Sequence, residues 1–283
     1  VKSDRNQLPC PHRRHRGHQS MRLLPSPQCQ RQIVLRSGTP LRVVDLRRVN
    51  FTHAGVIILP GTDFSPDGSF LMDTNTVKSL LSITKYGRSE SRLPLPLVVA
   101  ELFDARILPV AKSAYQGNIE LIPSDTIFSR LLAQNVRHKG LSFIYAELLS
   151  HSEGNQIYIR ELPQLEGVLI QQMNGLFPKA ILMGVLRAAP EGWKPFLNPL
   201  PGFSAEKGDR FVFLSETYDN TLPELSGVQR PVERRLTMEN AVSTHKRRVL
   251  ILGWNRKVPV LLNEFGSYRS ESFDIDILSL LPV

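Results

Sequence analysis

From Ile33 onwards, short apolar runs alternate with amphipathic stretches, and this alternation restricts the chain to folds built around a parallel sheet. Buried strands are predicted at Gly55–Leu59 and Leu95–Glu101, because each is a brief apolar run between turn signals. A helix is predicted between them, at Asp73–Tyr86. Its predicted apolar face consists of Val77, Leu80, Leu81 and Thr84. The sequence therefore predicts an α/β fold.

Shorter elements complete the pattern in the first half of the chain. A first strand is predicted at Ile33–Leu35, after which Ser37 and Gly38 turn into a helix at about residues 40–49. A helix near residues 104–115 and a strand at 119–122 come next. Two helices then follow over residues 124–149, the first capped by Ser124 or Asp125 and ended by Gly140. The apolar stripe predicted for the first of them consists of Ile127, Phe128, Leu131, Leu132 and Val136.

The second half begins with a change of character after Gly154. Strands are predicted at residues 156–160, 179–187 and 210–215, separated by Pro and Gly turns. Residues 218–246 have little apolar periodicity and are predicted to be a linker. A strand at 248–252, a helix at 257–265 and a strand at 275–280 then form a βαβ pattern.

The positive charge is concentrated at the start of the chain. The net charge is +9, and residues 1–32 contain seven Lys or Arg side chains against one Asp. That segment lacks patterned apolar residues and is predicted to be disordered. The folded body therefore carries little excess charge, which argues against nucleic acid as a partner.

Neither the cysteines nor the hydropathy indicates a metal centre or a membrane span. Cys10 and Cys29 show no zinc-ligand spacing. No apolar run approaches the 18 or so residues of a membrane-spanning helix. We therefore expect this part of the protein to be soluble, with any spanning segment elsewhere.

Several long stretches resemble the CASTOR/POLLUX ion-channel family. They are RSGTPLRVVDLRRVNFTHAGVIILP (36–60), VVAELFDAR (98–106), IPSDTIFSRLLAQNVRHKGLSFIYAELL (122–149), IYIRELPQLEG (157–167) and RRVLILGWNRKVPVLLNEF (247–265). The resemblance implies a tetrameric cation channel in which two RCK-like units per subunit form a cytosolic gating ring, with calcium as a regulator in plant members. The protein would then be a membrane protein, with this portion on the cytosolic side.

The resemblance also implies a division of the chain. Residues 33–150 would be a Rossmann-like RCK N-lobe, incomplete because its first strand and glycine turn are lacking. Residues 151–217 would be a smaller β-rich C-lobe, 218–246 a linker, and 247–283 the start of a second Rossmann-like unit. Residues 1–32 would precede them as the basic segment. We expect the natural protein to continue past Val283.

Candidate cofactor-binding residues lie where the chain leaves predicted strands. Gly253 supplies the first glycine of a dinucleotide-binding turn, but Asn255 replaces the second, so Asn255 either caps the next helix or lines a nucleotide site. Glu101 and Asp104 either both face a ligand, or have structural roles. In the second case Glu101 pairs with Arg106 and Asp104 caps the following helix. The remaining candidates, Ser37 and Gly38, form the turn before the first helix.

A calcium site is predicted at Asp63, Asp67 and Asp73. These acidic residues lie in one loop and at the start of the next helix, and carboxylate oxygens suit calcium. Their spacing is not that of an EF-hand loop. The alternative is that they are ordinary acidic residues in an exposed loop and a first helical turn.

The sequence favours a regulatory function over an enzymatic one. We find no nucleophile with an adjacent base, no paired carboxylates and no histidine cluster on one helix face. A nucleotide-dependent oxidoreductase is the alternative, but its glycine fingerprint is incomplete. By resemblance, the paired helices at 124–149 would form a homo-oligomer interface near Phe143, Ile144 and Leu148.

Overall fold

The computed structural model describes residues 34–61, 71–89, 94–150, 154–173, 175–190, 192–224 and 245–280. They divide into two compact units. The first unit consists of the chain up to Leu102 together with Arg106–Ile122. The second unit consists of Phe103–Ala105 together with the chain from Pro123 onwards. Both units mix helices and strands, so the predicted α/β class is confirmed. The predicted domain boundaries themselves stay predictions.

The first unit is a three-stranded sheet with its helices. In chain order its helices and strands are α1 (Val43–Arg48), β1 (Val56–Leu59), α2 (Leu71–Ser89), β2 (Leu97–Leu102), α3 (Leu108–Ala114) and β3 (Ile119–Pro123). Short 3-10 helices precede β1, at Phe51–His53, and α3, at Ala105–Ile107. The sheet order is β1-β2-β3, and β1 runs parallel to β2 with Val56 opposite Leu97. The loop predicted between β1 and α2 lies largely outside the described residues.

The core of the first unit lies between this sheet and α2. Val98 and Ala100 of β2 are fully buried and share a cluster with Leu80 and Ile83 of α2. The Thr84 hydroxyl donates to the carbonyl of Ala114, 3.0 Å away, which joins α2 to α3. Two members of the predicted α2 face, Leu80 and Thr84, are thus buried as expected. Val77 is half-buried against the same cluster, whereas Leu81 is exposed and Ile83 takes the inward position.

The predictions for the start of the chain are partly wrong. Val34 and Leu35 are exposed and form no strand, because no strand of the described residues lies beside them for pairing, and Ile33 falls outside the described residues. The helix predicted over residues 40–49 shortens to the six residues of α1.

The second unit begins with the two predicted helices, α4 (Ser124–Arg137) and α5 (Leu141–Leu149), separated by Gly140. The apolar stripe predicted for α4 is wrong, since Ile127, Phe128, Leu132 and Val136 are exposed and Leu131 is half-buried. Its buried residues are Ser124, Asp125, Ser129 and Ala133. The small side chains of Ser129 and Ala133 allow another helix to approach closely, and this selects the polar face for burial. The predicted cap is also wrong, because α4 already begins at Ser124 and the residue in the cap position is Pro123, whose side chain makes no capping hydrogen bond.

A four-stranded antiparallel sheet follows in the order β4-β7-β5-β6. Its strands are β4 (Gln156–Glu161), β5 (Ala180–Ala189), β6 (Gly192–Leu197) and β7 (Arg210–Ser215), and a short helix α6 (Ile170–Met173) precedes β5. Phe211, Phe213 and Val185 point into a core that also contains Met173 and Phe177. Strand β6 was not predicted, because it contains Pro195; the edge position of β6 accommodates the missing N–H.

A buried ion pair joins this sheet to the turn before β7. Two nitrogens of Arg187 donate to the Asp209 carboxylate at 3.0 and 2.8 Å, and the Glu206 N–H donates to it at 2.8 Å. Burial alone would raise the pKa of the Asp209 carboxyl. The hydrogen bonds from Arg187 and from the Glu206 N–H, with the charge of Arg187, outweigh it and lower this pKa below its ordinary value.

We therefore expect Asp209→Asn to reduce the free energy of unfolding at pH 7 by about 3 kcal/mol, because it breaks a buried pair. A carboxyl with a lowered folded-state pKa stabilises the fold above its unfolded-state pKa, and this stabilisation is lost as the pH falls through the folded-state value. The difference in free energy of unfolding between wild type and Asp209→Asn should thus become smaller below about pH 4. Urea unfolding at a series of pH values measures it, with Asp219→Asn at an exposed aspartate as control. A difference that is constant with pH would contradict this assignment.

The last elements are β8 (His245–Leu252), α7 (Lys257–Ser267) and β9 (Glu271–Leu278). Strands β8 and β9 are parallel, with Val249 opposite Ile275. The predicted βαβ pattern is therefore confirmed, and each of its elements is longer than predicted. Its buried residues Leu261 and Phe265 form one cluster with Ala133 of α4. The βαβ unit thus packs against α4.

Candidate functional site

The turn that leaves β8 is the best-defined candidate site. Gly253 has φ = +102°, a left-handed conformation that glycine adopts without strain. Its N–H donates to the carbonyl of Leu278, 2.7 Å away, which fixes the turn to the end of β9. An added Cβ at Gly253 would meet no atom within 4 Å, so the backbone conformation, and not crowding, requires glycine there.

Asn255 helps to begin helix α7. Its Oδ1 accepts a hydrogen bond from the Lys257 N–H at 2.9 Å, which satisfies one of the free N–H groups of the first turn. This contact supports the capping interpretation of Asn255. The side chain that occupies the second position of the glycine fingerprint is therefore already engaged by the protein. Nucleotide binding at Gly253 and Asn255 stays a prediction.

Two cations at the start of α7 hold a carboxylate of α4. Arg256 Nε lies 3.7 Å and Lys257 Nζ 3.6 Å from the carboxylate oxygens of Asp125, whose side chain is only 7% exposed. The Ser129 hydroxyl donates to the carbonyl oxygens of Asp125 and Lys257, at 2.7 and 3.0 Å. The beginning of α4 is therefore attached to the turn that leaves β8.

The segment after β2 reaches the same turn. The guanidinium of Arg256 lies 4.9 Å from the ring centroid of Phe103, in a cation–π contact. Asp104, one of the predicted ligand-facing residues, is the next residue and is half-buried. Arg256 thus contacts both α4 and the segment that carries Asp104.

The other end of α4 is held by a second ion cluster. Nε and a terminal nitrogen of Arg137 each lie 2.8 Å from one carboxylate oxygen of Glu271, and Arg247 Nε donates to the other at 2.8 Å. These hydrogen bonds, from Arg247 and from Arg137, lower the pKa of the Glu271 carboxyl although its burial opposes this. The hydrogen bond between Arg137 and Glu271 also raises the pKa of Arg137. The guanidinium of Arg137 lies 4.0 Å from the ring centroid of Tyr268. Charge-assisted bonds of this length are strong, so the end of α4 is firmly attached to β8 and β9.

The predicted residue Glu101 lies at the carboxyl end of β2, where its Oε2 accepts the Gly61 N–H at 2.9 Å. This bond ties the carboxyl ends of the neighbouring strands β1 and β2. Ligands of parallel sheets bind at this edge. The placement agrees with a ligand-facing position, and the role itself stays a prediction.

Ser37 and Gly38 are held by residues of α1. Arg48 donates to the Ser37 carbonyl at 3.3 Å, and Asp45 Oδ2 accepts the Thr39 N–H at 3.2 Å. A Cβ at Gly38 would lie 2.8 Å from Cγ of Asp45, so a larger residue there would require the Asp45 side chain to shift. The turn borders a cavity of about 210 Å³ whose lining includes Ser37, Gly38 and Asp45. Cofactor binding by Ser37 and Gly38 stays a prediction.

The predicted calcium residues are only partly described. Asp73 lies in the first turn of α2 and is buried, whereas Asp63 and Asp67 fall outside the described residues. Within the described ranges, no three His, Cys, Asp or Glu side chains come together as a metal site. The calcium site stays a prediction.

Sequence reasoning missed the residues that attach α4 to the βαβ unit. Arg137 and Glu271 are separated by 134 residues, and no local spacing relates them. Asp125 gave a local signal, an acidic residue in a first helical turn, but that signal predicted a cap and not an ion pair.

The chain is similar to known proteins over most of its length. Residues 112–230 match the family described as "Castor and Pollux, part of voltage-gated ion channel". The chain is 29% identical over 252 residues to the ion channel CASTOR of Lotus japonicus and 28% identical over 254 residues to the probable ion channel POLLUX of Arabidopsis thaliana. Each match covers 88% of this chain. The resemblance to the CASTOR/POLLUX family is confirmed.

This CASTOR/POLLUX-like chain spans only 28% and 29% of the length of those two relatives. The crystal structure of the GsuK RCK domain is also similar, at 18% identity and a TM-score of 0.30, over 70% of this chain and 38% of that one. Among the described residues of the CASTOR/POLLUX-like chain, no helix has the length and apolar content needed to cross a membrane.

The cap on α7 is testable. We expect Asn255→Ala to reduce the free energy of unfolding by about 1 kcal/mol, because it leaves the Lys257 N–H without its acceptor. Asn263→Ala, at an exposed position inside α7, is the matched control and should be neutral or slightly stabilising. Urea unfolding followed by tryptophan fluorescence compares the two variants. Equal stability of both would show that Asn255 does not cap the helix.

Proposed function

We propose that this chain is a regulatory portion of a CASTOR/POLLUX-like ion channel, on the cytosolic side, which senses a ligand and moves a linked pore. The similarity to proteins named ion channels, over 88% of the chain, supports this proposal. The pore would lie outside the described residues and would carry the membrane attachment. The names of the relatives also favour a function that is not enzymatic.

The observation that carries the proposal is the contact of Asp125 with the turn after β8. A ligand bound where parallel strands end would lie beside Arg256 and Lys257, which hold the start of α4. Ligand binding and the position of α4 would therefore depend on the same two cations. A ligand shifts an equilibrium only as far as it prefers one conformation, and this shared contact provides such a preference.

A second copy of the chain is the proposed partner of α5. Phe143 and Ile144 are 79% and 51% exposed, and Leu148 beside them is half-buried. Several exposed apolar side chains on one short helix favour burial against another protein surface. The exposed side chains of α4, Phe128 and Leu132, would extend the contact. A tetrameric ring is the assembly that the family resemblance implies.

Calcium and nucleotides are the proposed ligands. Calcium would be bound near Asp73, together with Asp63 and Asp67, since carboxylate oxygens are its preferred ligands. A nucleotide would be bound at Gly253 and Asn255, where the start of α7 and its two cations favour phosphate.

A chimaeric channel tests the proposed function. The matching segment of Lotus japonicus CASTOR is replaced by this chain, and single-channel currents are recorded in planar bilayers with and without calcium. We expect the chimaera to conduct, and Asp125→Asn to change its open probability about fivefold or more, since coupling between sites commonly has this size. Asp219→Asn is the control and should leave the open probability unchanged. The proposal would be contradicted by a conducting chimaera whose open probability is the same without substitution, with Asp125→Asn and with Asp219→Asn.

A further inference from the structure

The contact between α4 and the βαβ unit has two ends of different construction. The helices α4 and α7 lie side by side and run in the same direction, since Asp125 meets Lys257 at their starts and Arg137 meets Tyr268 just after α7 ends. At the starting end the ion pairs measure 3.7 and 3.6 Å, whereas at the finishing end the distances are 2.8 Å. The two ends therefore resist separation unequally.

The starting end is electrostatically weak. Arg256 and Lys257 are 50% and 40% exposed, so solvent and salt screen their attraction for Asp125. The two cations also lie beside the positive ends of the α4 and α7 dipoles, where positive charge is unfavourable. Among the described residues, Asp125 is the carboxylate that lies within ion-pair distance of them. The ionic part of the attachment at this end depends on one carboxylate. The hydrogen bond from Ser129 to the Lys257 carbonyl, at 3.0 Å, and the cation–π contact of Lys257 with the Phe128 ring, at 5.7 Å, add to it.

The finishing end is strong. Glu271 is 9% exposed and receives charge-assisted hydrogen bonds from two arginines. Arg137 lies in the last turn of α4, where the helix dipole favours a cation. Ala133 packs with Leu261 and Phe265, and the ring of Phe265 lies 4.6 Å from that of Phe273 between centroids. Ion pairs and apolar packing both hold this end.

We infer that α4 and the βαβ unit form a hinged contact, which opens at Asp125 and pivots on the Glu271 cluster. Opening separates the start of α4 from the turn Gly253–Lys257 and leaves β8 and β9 paired. Because Arg256 also contacts Phe103, the opening alters this contact with the segment after β2 as well. This inference concerns the chain alone, and it can fail while the proposed channel function holds.

Trp254, half-buried in the turn, reports on the starting end. The chain has two tryptophans, so Trp193→Phe leaves Trp254 as the single one. Acrylamide quenching of Trp254 is measured between about 0.05 M and about 1 M NaCl, over which the Debye length falls several-fold. Hydrogen exchange of the β8 and β9 amides, measured on the same samples, reports on the pairing of these strands.

In the Trp193→Phe chain, quenching of Trp254 should rise about two- to fivefold with salt, the range that a weak ion pair supports, while amide exchange stays constant. Asp125→Asn should give the higher quenching already at low salt and remove the salt response, and Asp219→Asn should behave as its parent. Glu271→Gln should increase quenching and amide exchange together, because it loosens the pivot.

Three results would overturn the hinge. Quenching that responds neither to salt nor to Asp125→Asn would show that the starting end does not open. Quenching and amide exchange that rise together in the parent chain would show that the whole βαβ unit detaches. Unchanged quenching and exchange in Glu271→Gln would show that the pivot lies elsewhere.

Discussion

The carboxylate of Glu271 holds two arginines that come from distant parts of the chain. Arg247 lies on β8, beside Glu271 in the two-stranded sheet, and Arg137 ends α4. Two strands and one helix bury too little apolar surface to be stable in isolation. The βαβ unit therefore depends on α4 for the rest of its core, and the Glu271 cluster fixes the register in which the two meet. The order of the turn at Gly253 depends in turn on this docking.

Helix α4 serves two surfaces at once. Its small residues Ser129 and Ala133 lie against α7, where a larger side chain would separate the helices. Its large apolar residues Phe128 and Leu132 stay exposed, although the Lys257 ammonium lies 5.7 Å from the centroid of the Phe128 ring. In the proposed assembly, this helix would connect a ligand at the turn with the contact to a second copy. This division explains why the small and polar residues of α4 are buried while its large apolar residues are exposed.

Local patterns predicted the elements well and their contacts poorly. The strands at β1, β2 and β7 and the helices α2, α4, α5 and α7 could be predicted, because each has its own apolar period or turn signals. The buried face of α4 could not, because it is chosen by α7, more than 100 residues later. Strand β6 was hidden by Pro195, which only an edge position tolerates. Gly253 and Asn255 were found from their motif, whereas Glu271 and Arg137 carry no motif and are related only by the fold.

The claim that α4 orders the βαβ unit is tested most directly at Ala133, which is fully buried against Leu261 and Phe265. Hydrogen exchange of individual backbone amides is compared between Ala133→Asp and Leu132→Asp, which place the same charge at a buried and at an exposed position of α4. If α4 orders the βαβ unit, Ala133→Asp abolishes protection in β8 and β9 and preserves it in β5 and β7, while Leu132→Asp preserves protection in both pairs of strands. Protected β8 and β9 amides in Ala133→Asp would contradict it.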